Sequence, residues 1–184
     1  NTAWERDERE GLLRSLRRLP VEWRLGPHYL RGVSDAGLVF AGQNWFNYAA
    51  NLPGLPDAAA AGVPLRGVVD LAMDLFLGLR IGVTGSNGKS TTAGLVAHLL
   101  RASLPAGQAL HHGGNDRNAQ TSLRALAEAG SQDRLVWEVS NRHLRDRVVP
   151  VDVAVLTNVT HNHIEDHGSF AAYVAAKARL LRGD

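Results

Sequence analysis

The residues from Leu79 to Thr92 read LRIGVTGSNGKSTT and hold the types and spacing of a phosphate site. Leu79 to Val83 is a short apolar run with the make-up of a buried strand. It breaks at Thr84-Gly85-Ser86-Asn87-Gly88, and a helical pattern runs from Lys89 to about Leu100. Strand, glycine-rich turn and helix in that order form an anion cradle. Backbone N–H groups at the helix start point into the turn, and the helix dipole favours negative charge there. Gly85 and Gly88 permit positive φ and close approach to a phosphate. Lys89 would reach terminal phosphates, and Ser90 can hold Mg²⁺. The general phosphate loop has Gly five positions before its last Gly. Val83 stands there, so the wording is the tighter T-G-S-N-G-K-S-T. A ligand-free turn accounts for the two glycines but not for Lys and Ser directly after them.

Further along, other residues carry chemistry. Among 20 Lys and Arg residues, only Lys89 and Lys177 are lysine. A compact ammonium suits a phosphate cradle and a titratable amine can react, whereas Arg stays protonated. Glu138 lies inside the apolar run Leu135 to Ser140. A carboxylate there is costly to bury unless it is paired or bound to a cation; otherwise it occupies an edge position facing solvent. The run Val151 to Val159 ends in Asn158 to Gly168, NVTHNHIEDHG. Ligands of open α/β sheets bind beyond the carboxyl ends of strands. Three His and two acids there make a metal or phosphate constellation, or else a polar surface loop. Lys177 lies on the third turn of a helical pattern, and its plain alternative is a surface lysine with a buried stem. His111 and His112 are neighbours on a strand pattern and point to opposite faces, so they do not share one ion. Both are read as structural.

The elements that must position these residues follow from periodicity. A helix is predicted over Glu5 to Leu19, stopped by Pro20, and a strand over Val21 to Leu25. A strand Gly37 to Ala41 leads into a loop, Gly42 to Pro56, whose Trp45, Phe46 and Tyr48 are read as packing onto the domain. A short helix Asp57 to Ala61, an edge segment Val63 to Leu65 and a helix Val68 to Leu77 follow, with Val69, Met73 and Leu77 on one face. Later come a strand end at Gln108 to Gly114, a helix Asn118 to Ala129 and the strand Leu135 to Ser140. A strand Val151 to Val159 of the buried parallel type precedes a helix Phe170 to Arg182, capped by Ser169, with Tyr173, Ala176 and Leu180 inward. The alternation predicts a parallel α/β fold.

Composition sets the frame. A length of 184 residues suits one large domain or two small ones, and 45% apolar content can bury a sizeable core. The net charge of +2, without a basic run interleaved with aromatics, argues against nucleic acid as a partner. The absence of Cys excludes disulfides and thiolate metal sites and fits a reducing, cytoplasmic compartment. No apolar run approaches the roughly 18 residues of a membrane span. No signal-peptide pattern opens the chain. It opens at Asn1 rather than Met, which reads as a piece of a longer chain.

Four stretches in order, 84–92, 113–115, 138–144 and 158–179, resemble the Mur ligase family, the enzymes that add amino acids to the peptidoglycan precursor. They carry T-G-S-N-G-K-S-T, G-G-N, E-V-S-N-R-H-L, and N-V-T-H-N-H followed by A-A-K-A-R. The course LPDAAAAGVPL, from Leu55 to Leu65, is similar to the end of the first domain in the D-glutamate-adding branch. The resemblance implies a partial parallel-sheet central ATPase domain of P-loop type over 79–184. The tail of a Rossmann-like, UDP-substrate-binding domain would precede it over 1–78. The start of that first domain and the amino-acid-bringing third domain would be missing, leaving this piece inactive alone. By the same resemblance, Gly85, Ser86, Asn87, Gly88, Lys89, Ser90, Thr91 and Asn115 bind ATP. Ser90 and Glu138 hold one Mg²⁺; His163 and a carbamylated Lys177 hold another; Lys89, His163 and Lys177 are the catalytic set.

The reaction so implied is phosphorylation of the carboxylate of UDP-N-acetylmuramoyl-L-alanine by ATP, then attack of an amino acid on the acyl phosphate, in a monomeric cytoplasmic enzyme. The chain departs from the family at Asp116-Arg117, at Asn141, Arg142 and His143, and at Asn162 and Glu165, where the family has Asp. Three alternatives stay open: the lysine- or diaminopimelate-adding branch, a diverged ATP-binding member without ligase activity, and a plain P-loop ATPase.

Overall fold

The computed structural model describes residues 10, 11, 14, 18–22, 24, 26–114, 121–145, 147–162 and 164–182. Most of the predicted helix at Glu5 to Leu19 lies outside them, though residues 10, 11 and 14 are helical. Two strands, β1 (Val39–Phe40) and β2 (Leu65–Arg66), pair in parallel. Helix α1 (Gly54–Ala60) connects them, and α2 (Val68–Leu75) follows β2. The second sheet holds β3 (Leu79–Thr84), β4 (Leu110–Gly113), β5 (Arg134–Glu138) and β6 (Val153–Leu156). Its order is β4-β5-β3-β6, with every pair parallel. Helix α3 (Lys89–Ser103) joins β3 to β4, and α4 (Leu123–Ala127) precedes β5. Helices α5 (Ile164–His167) and α6 (Phe170–Arg182) close the described chain.

Alternation along the strands divides the core into two layers. Ile81, Val83 and Val136 pack against Ala93 and Ala97 of α3. Leu135, Trp137 and Val139 pack on the other side with Val69 and Met73 of α2, Leu126 of α4 and Leu180 of α6. With both faces covered, the central strands can be apolar throughout. The register sets Val83 opposite both Glu138 and Val155. The carboxyl ends of β3, β5 and β6 therefore lie level, and the chain leaving each one meets the others.

Several elements differ from expectation. The described residues of the predicted strand at 21–25 form no strand: Val21 donates back to Leu19 O at 2.8 Å, and Arg24 pairs with Glu22 at 2.8 Å. An alternating pattern without a partner strand satisfies itself locally. The loop after β1 is shorter than predicted because α1 starts at Gly54, with Pro53 just before it. Two 3-10 turns, Trp45–Asn47 and Ala49–Asn51, occupy its middle. Helix α2 ends at Leu75, and Phe76 turns extended into the core position predicted for Leu77, which is 70% exposed. Strand β6 pairs only over Val153–Leu156 and is an edge strand among the described residues, with Val153 exposed. The predicted helix before β5 is described only as the short α4, with Ser122 Oγ accepting from Ala125 N at 3.1 Å. Helix α6 matches its predicted bounds, and Ser169 Oγ accepts from Ala172 N at 3.1 Å.

Leu135 is fully buried in β5 while Leu99 of α3 is exposed. Leu135→Ala is expected to cost about 2–5 kcal/mol of unfolding free energy by urea titration, through lost burial and the cavity left behind. Leu99→Ala is expected to stay within about 0.5 kcal/mol of the parent.

Candidate functional site

The glycine-rich turn between β3 and α3 sits where the three strand ends meet. Gly85 and Gly88 have φ of 154° and 77°. A Cβ on Gly85 would run into the Thr157 hydroxyl, so both the conformation and the space require Gly there. Neighbouring residues hold the turn, with little help from its own hydrogen bonds. Asn158 grips the Asn87 backbone twice: Asn87 N donates to Asn158 Oδ1 and Asn158 Nδ2 donates to Asn87 O, each at 3.0 Å. Thr157 Oγ1 donates to Asn87 O at 2.7 Å, and Ser86 N donates to Asn158 O at 2.9 Å. The Ser86 hydroxyl accepts from Thr160 N at 2.9 Å and lies 2.9 Å from the Tyr173 hydroxyl. Ser86 and the Asn87 N–H are thus spent inside the protein and shape the cradle. The donors left for an anion are the first amides of α3, Lys89 to Thr91. They precede the first intrahelical bond, from Thr92 N to Gly88 O at 2.9 Å.

Charged groups line this helix start. Lys89 Nζ donates to Ser86 O at 2.9 Å. Ser90 Oγ donates to Glu138 Oε2 at 2.8 Å, and Glu138 is buried at 3% exposure. The edge-strand alternative for Glu138 is thereby excluded, since β5 lies between β4 and β3. A carboxylate and a hydroxyl together are the all-oxygen donors a hard cation such as Mg²⁺ takes. Lys177 is no surface lysine: it is 1% exposed, and its Nζ donates to Gly85 O at 2.8 Å. Burial, with Lys89 nearby, pulls its pKa down to about 8. The two lysines thus fasten adjacent carbonyls of the turn. Asn115 and His163 lie outside the described residues. Among the described residues, no three His, Cys, Asp or Glu side chains form a metal cluster. His111 serves structure as expected, 3.5 Å from the Asp133 carboxylate and edge-on to Phe76.

Near the carboxyl ends of β4 and β5 lies a cavity of about 340 Å³, whose lining includes Trp45, Phe46, Asp70, Trp137, Arg142 and Arg147. Trp45 and Phe46 are therefore cavity walls as well as packing, while Tyr48 is exposed. Asp70 is buried; it accepts from Gly67 N at 2.5 Å and from the Arg147 guanidinium. His143 accepts from Ser140 N at 3.1 Å through Nδ1. Burial pushes its pKa down to about 4 against the pull of Asp70, with Arg147 adding to the fall. The Trp137 indole N–H is buried without an acceptor among the described residues. Asp70 and Arg147 carry no local signal in the sequence, and Arg142 stands out there only as a departure from the family wording. The unusual residues at 141–143 were the one signal that pointed to this wall.

Fold and site together define a parallel α/β domain with a strand–glycine turn–helix cradle at the carboxyl edge of its sheet. The family model "Mur ligase middle domain" matches residues 83–183, and the chain belongs to the Mur ligase family. UDP-N-acetylmuramoylalanine–D-glutamate ligase of Symbiobacterium thermophilum is 33% identical over 184 residues, 98% of this chain and 39% of that protein. The enzyme of the same name from Streptococcus pneumoniae is 39% identical over 129 residues, 69% of this chain and 27% of that one. The chain spans about a third of the length of the curated relatives it matches. A crystal structure of MurF ligase from Thermotoga maritima in complex with ADP is similar at 22% identity and a TM-score of 0.45, over 79% of this chain and 40% of that one.

The buried lysine makes stability depend on pH. Below about pH 8 Lys177 is protonated both folded and unfolded, and the burial penalty is present. Between about 8 and 10.5 the unfolded chain holds the extra proton, so this group makes stability rise with pH. Lys177→Met is expected to remove that rise, read as the difference in urea-unfolding free energy between pH 7.5 and pH 10.

Proposed function

We propose that the chain is the nucleotide-handling part of an ATP-dependent amide-bond ligase that joins an amino acid, D-glutamate, to UDP-N-acetylmuramoyl-L-alanine. The observation that carries this reading is the pairing of Ser90 with buried Glu138 at the amide-rich start of α3, beside Lys89. The names of the relatives support the substrates. In this reading residues 79–184 belong to the central ATP-binding domain and 1–78 to the domain that receives the UDP-linked precursor. The protein acts as a monomer in the cytoplasm.

Each residue has a physical task. The amides of Lys89, Ser90 and Thr91 bind the terminal phosphates of ATP, and the Lys89 ammonium, which spends one of its three N–H groups on Ser86 O, has others for the phosphates. Gly85, Ser86, Asn87 and Gly88 give the turn its shape. Ser90 and Glu138 would hold Mg²⁺, with His163 and a carbamylated Lys177 holding a second; these ions would neutralise the phosphoryl oxygens and let carboxylate and phosphate approach. Asn115 orients the ligand. The depressed pKa of Lys177 supports carbamylation, because only a neutral amine attacks CO₂, losing a proton as the carbamate forms. Among the described residues no helix is long and apolar enough to cross a membrane.

The test is phosphate release by the full-length protein with Mg·ATP and UDP-N-acetylmuramoyl-L-alanine. D-glutamate, L-lysine and meso-diaminopimelate are supplied one at a time. Release is expected with D-glutamate only, and Lys89→Ala is expected to lower it by about 10²–10³-fold. Release with another amino acid moves the protein to that branch, and release without the precursor makes it a plain ATPase. Asn162 stands where the family has Asp and favours a second reading, a diverged member. Mg·ATP binding with no release under any condition is the result for that case.

A further inference from the structure

We propose that Arg142 is a positioning residue that couples the cavity beside Trp45 and Phe46 to the chain segment gripping the glycine turn. The inference rests on the ligase reading above, in which the cavity side receives the UDP-linked precursor and the turn receives ATP. The Arg142 guanidinium spans two parts of the fold. Its Nη1 donates at 3.0 Å to Oδ1 of Asn44, the residue just before the 3-10 turn that carries Trp45 and Phe46. Its Nε donates to Asp166 Oδ2 at 3.0 Å, on α5. The Asp166 side chain is 8% exposed, so this ion pair is weakly screened. Arg142 itself lines the cavity.

The neighbours of Arg142 repeat the pattern. Asn141 Nδ2 lies 3.1 Å from His167 Nε2, also on α5. In the other direction, Ser140 Oγ reaches Gln43 Oε1 at 3.4 Å and Arg145 stacks over the Phe46 ring at 4.0 Å. The segment after β5 therefore touches the cavity wall on one side and α5 on the other. Helix α5 follows within a few residues of Asn158 and Thr160, which grip the turn. A planar guanidinium bonded at both ends cannot turn toward one partner without pulling on the other. A precursor seated against Arg142 would hold α5, and through it the 157–160 grip on the turn, in one arrangement. The sequence departures at 141–143 and the acid at 166 then belong to one device.

Coupling is reciprocal, so it can be read as the affinity for one ligand in the presence of the other. The experiment is calorimetric titration of the full-length protein with the Mg²⁺ complex of a non-hydrolysable ATP analogue, with and without saturating UDP-N-acetylmuramoyl-L-alanine. In the parent the precursor is expected to tighten nucleotide binding by about fivefold or more. Asp166→Ala, at a residue that is not part of the cavity lining, removes the acceptor and so breaks the clasp. It is expected to keep nucleotide affinity measured alone while the ratio falls to about one. Arg142→Ala and Arg142→Lys, read at saturating precursor, are expected to do the same, because a lysine ammonium on its flexible stem lacks the planar fork that fixes both partners relative to each other. A merely structural clasp would lower the melting temperature of these variants and leave the ratio intact. A parental ratio of one, or a parental-sized ratio retained in Asp166→Ala, overturns the proposal while the ligase reading stands. A parent that binds the nucleotide but not the precursor overturns the ligase reading and the inference with it. If Arg142→Ala fails to fold, Asp166→Ala and Arg142→Lys decide the outcome.

Discussion

The glycine-rich turn has little hydrogen-bond ladder of its own, so its shape depends on being held from outside. Peptide groups that leave a strand end must find partners or be solvated. Here Asn158 uses both ends of its side-chain amide to satisfy the Asn87 peptide, and its carbonyl takes the Ser86 amide. Lys89 and Lys177 satisfy the Ser86 and Gly85 carbonyls. The amides that remain are those of the helix start. Most other polar groups of the turn are paired within the protein, which leaves the helix-start amides unspent.

The same edge of the sheet concentrates groups that are costly to bury. Glu138 and Lys177 are each at or below 3% exposure. Burial of an ionised group is tolerated only with hydrogen-bond partners, and leaving one unpaired costs far more than a made bond contributes. Ser90 and Gly85 O provide those partners. Their positions follow from the register that sets the ends of β3, β5 and β6 level.

Away from the turn, the segment after β5 binds the two-stranded unit to the main sheet through polar contacts. Asp70 caps the start of α2 and takes the Arg147 guanidinium, and Arg142 joins Asn44 to Asp166. In a family context, positions 141–143 depart from the usual wording, yet in this chain all three residues are engaged: Asn141 with His167, Arg142 with Asn44 and Asp166, His143 with Ser140.

Sequence alone determined the features that short-range physics controls. The order of strand, turn and helix at 79–103, the full extent of α6 with its Ser169 cap, and the need for Gly at 85 and 88 all follow from local periodicity and backbone sterics. The scarcity of lysine marked Lys89 and Lys177, and both proved to bond the turn. The family resemblance singled out Glu138 as a candidate residue. Tertiary structure decided what depends on which strands become neighbours. That β5 lies between β4 and β3 turned Glu138 from an ambiguous residue into a buried one beside Ser90. It also decided that Phe76, not Leu77, enters the core, and that Trp45 and Phe46 wall a cavity. The partnerships of Asn87 with Asn158, Asp70 with Arg147 and Arg142 with Asn44 cross 71, 77 and 98 residues. No local pattern encodes such pairs, because they arise only when a non-consecutive strand order brings distant loops to one edge of the sheet.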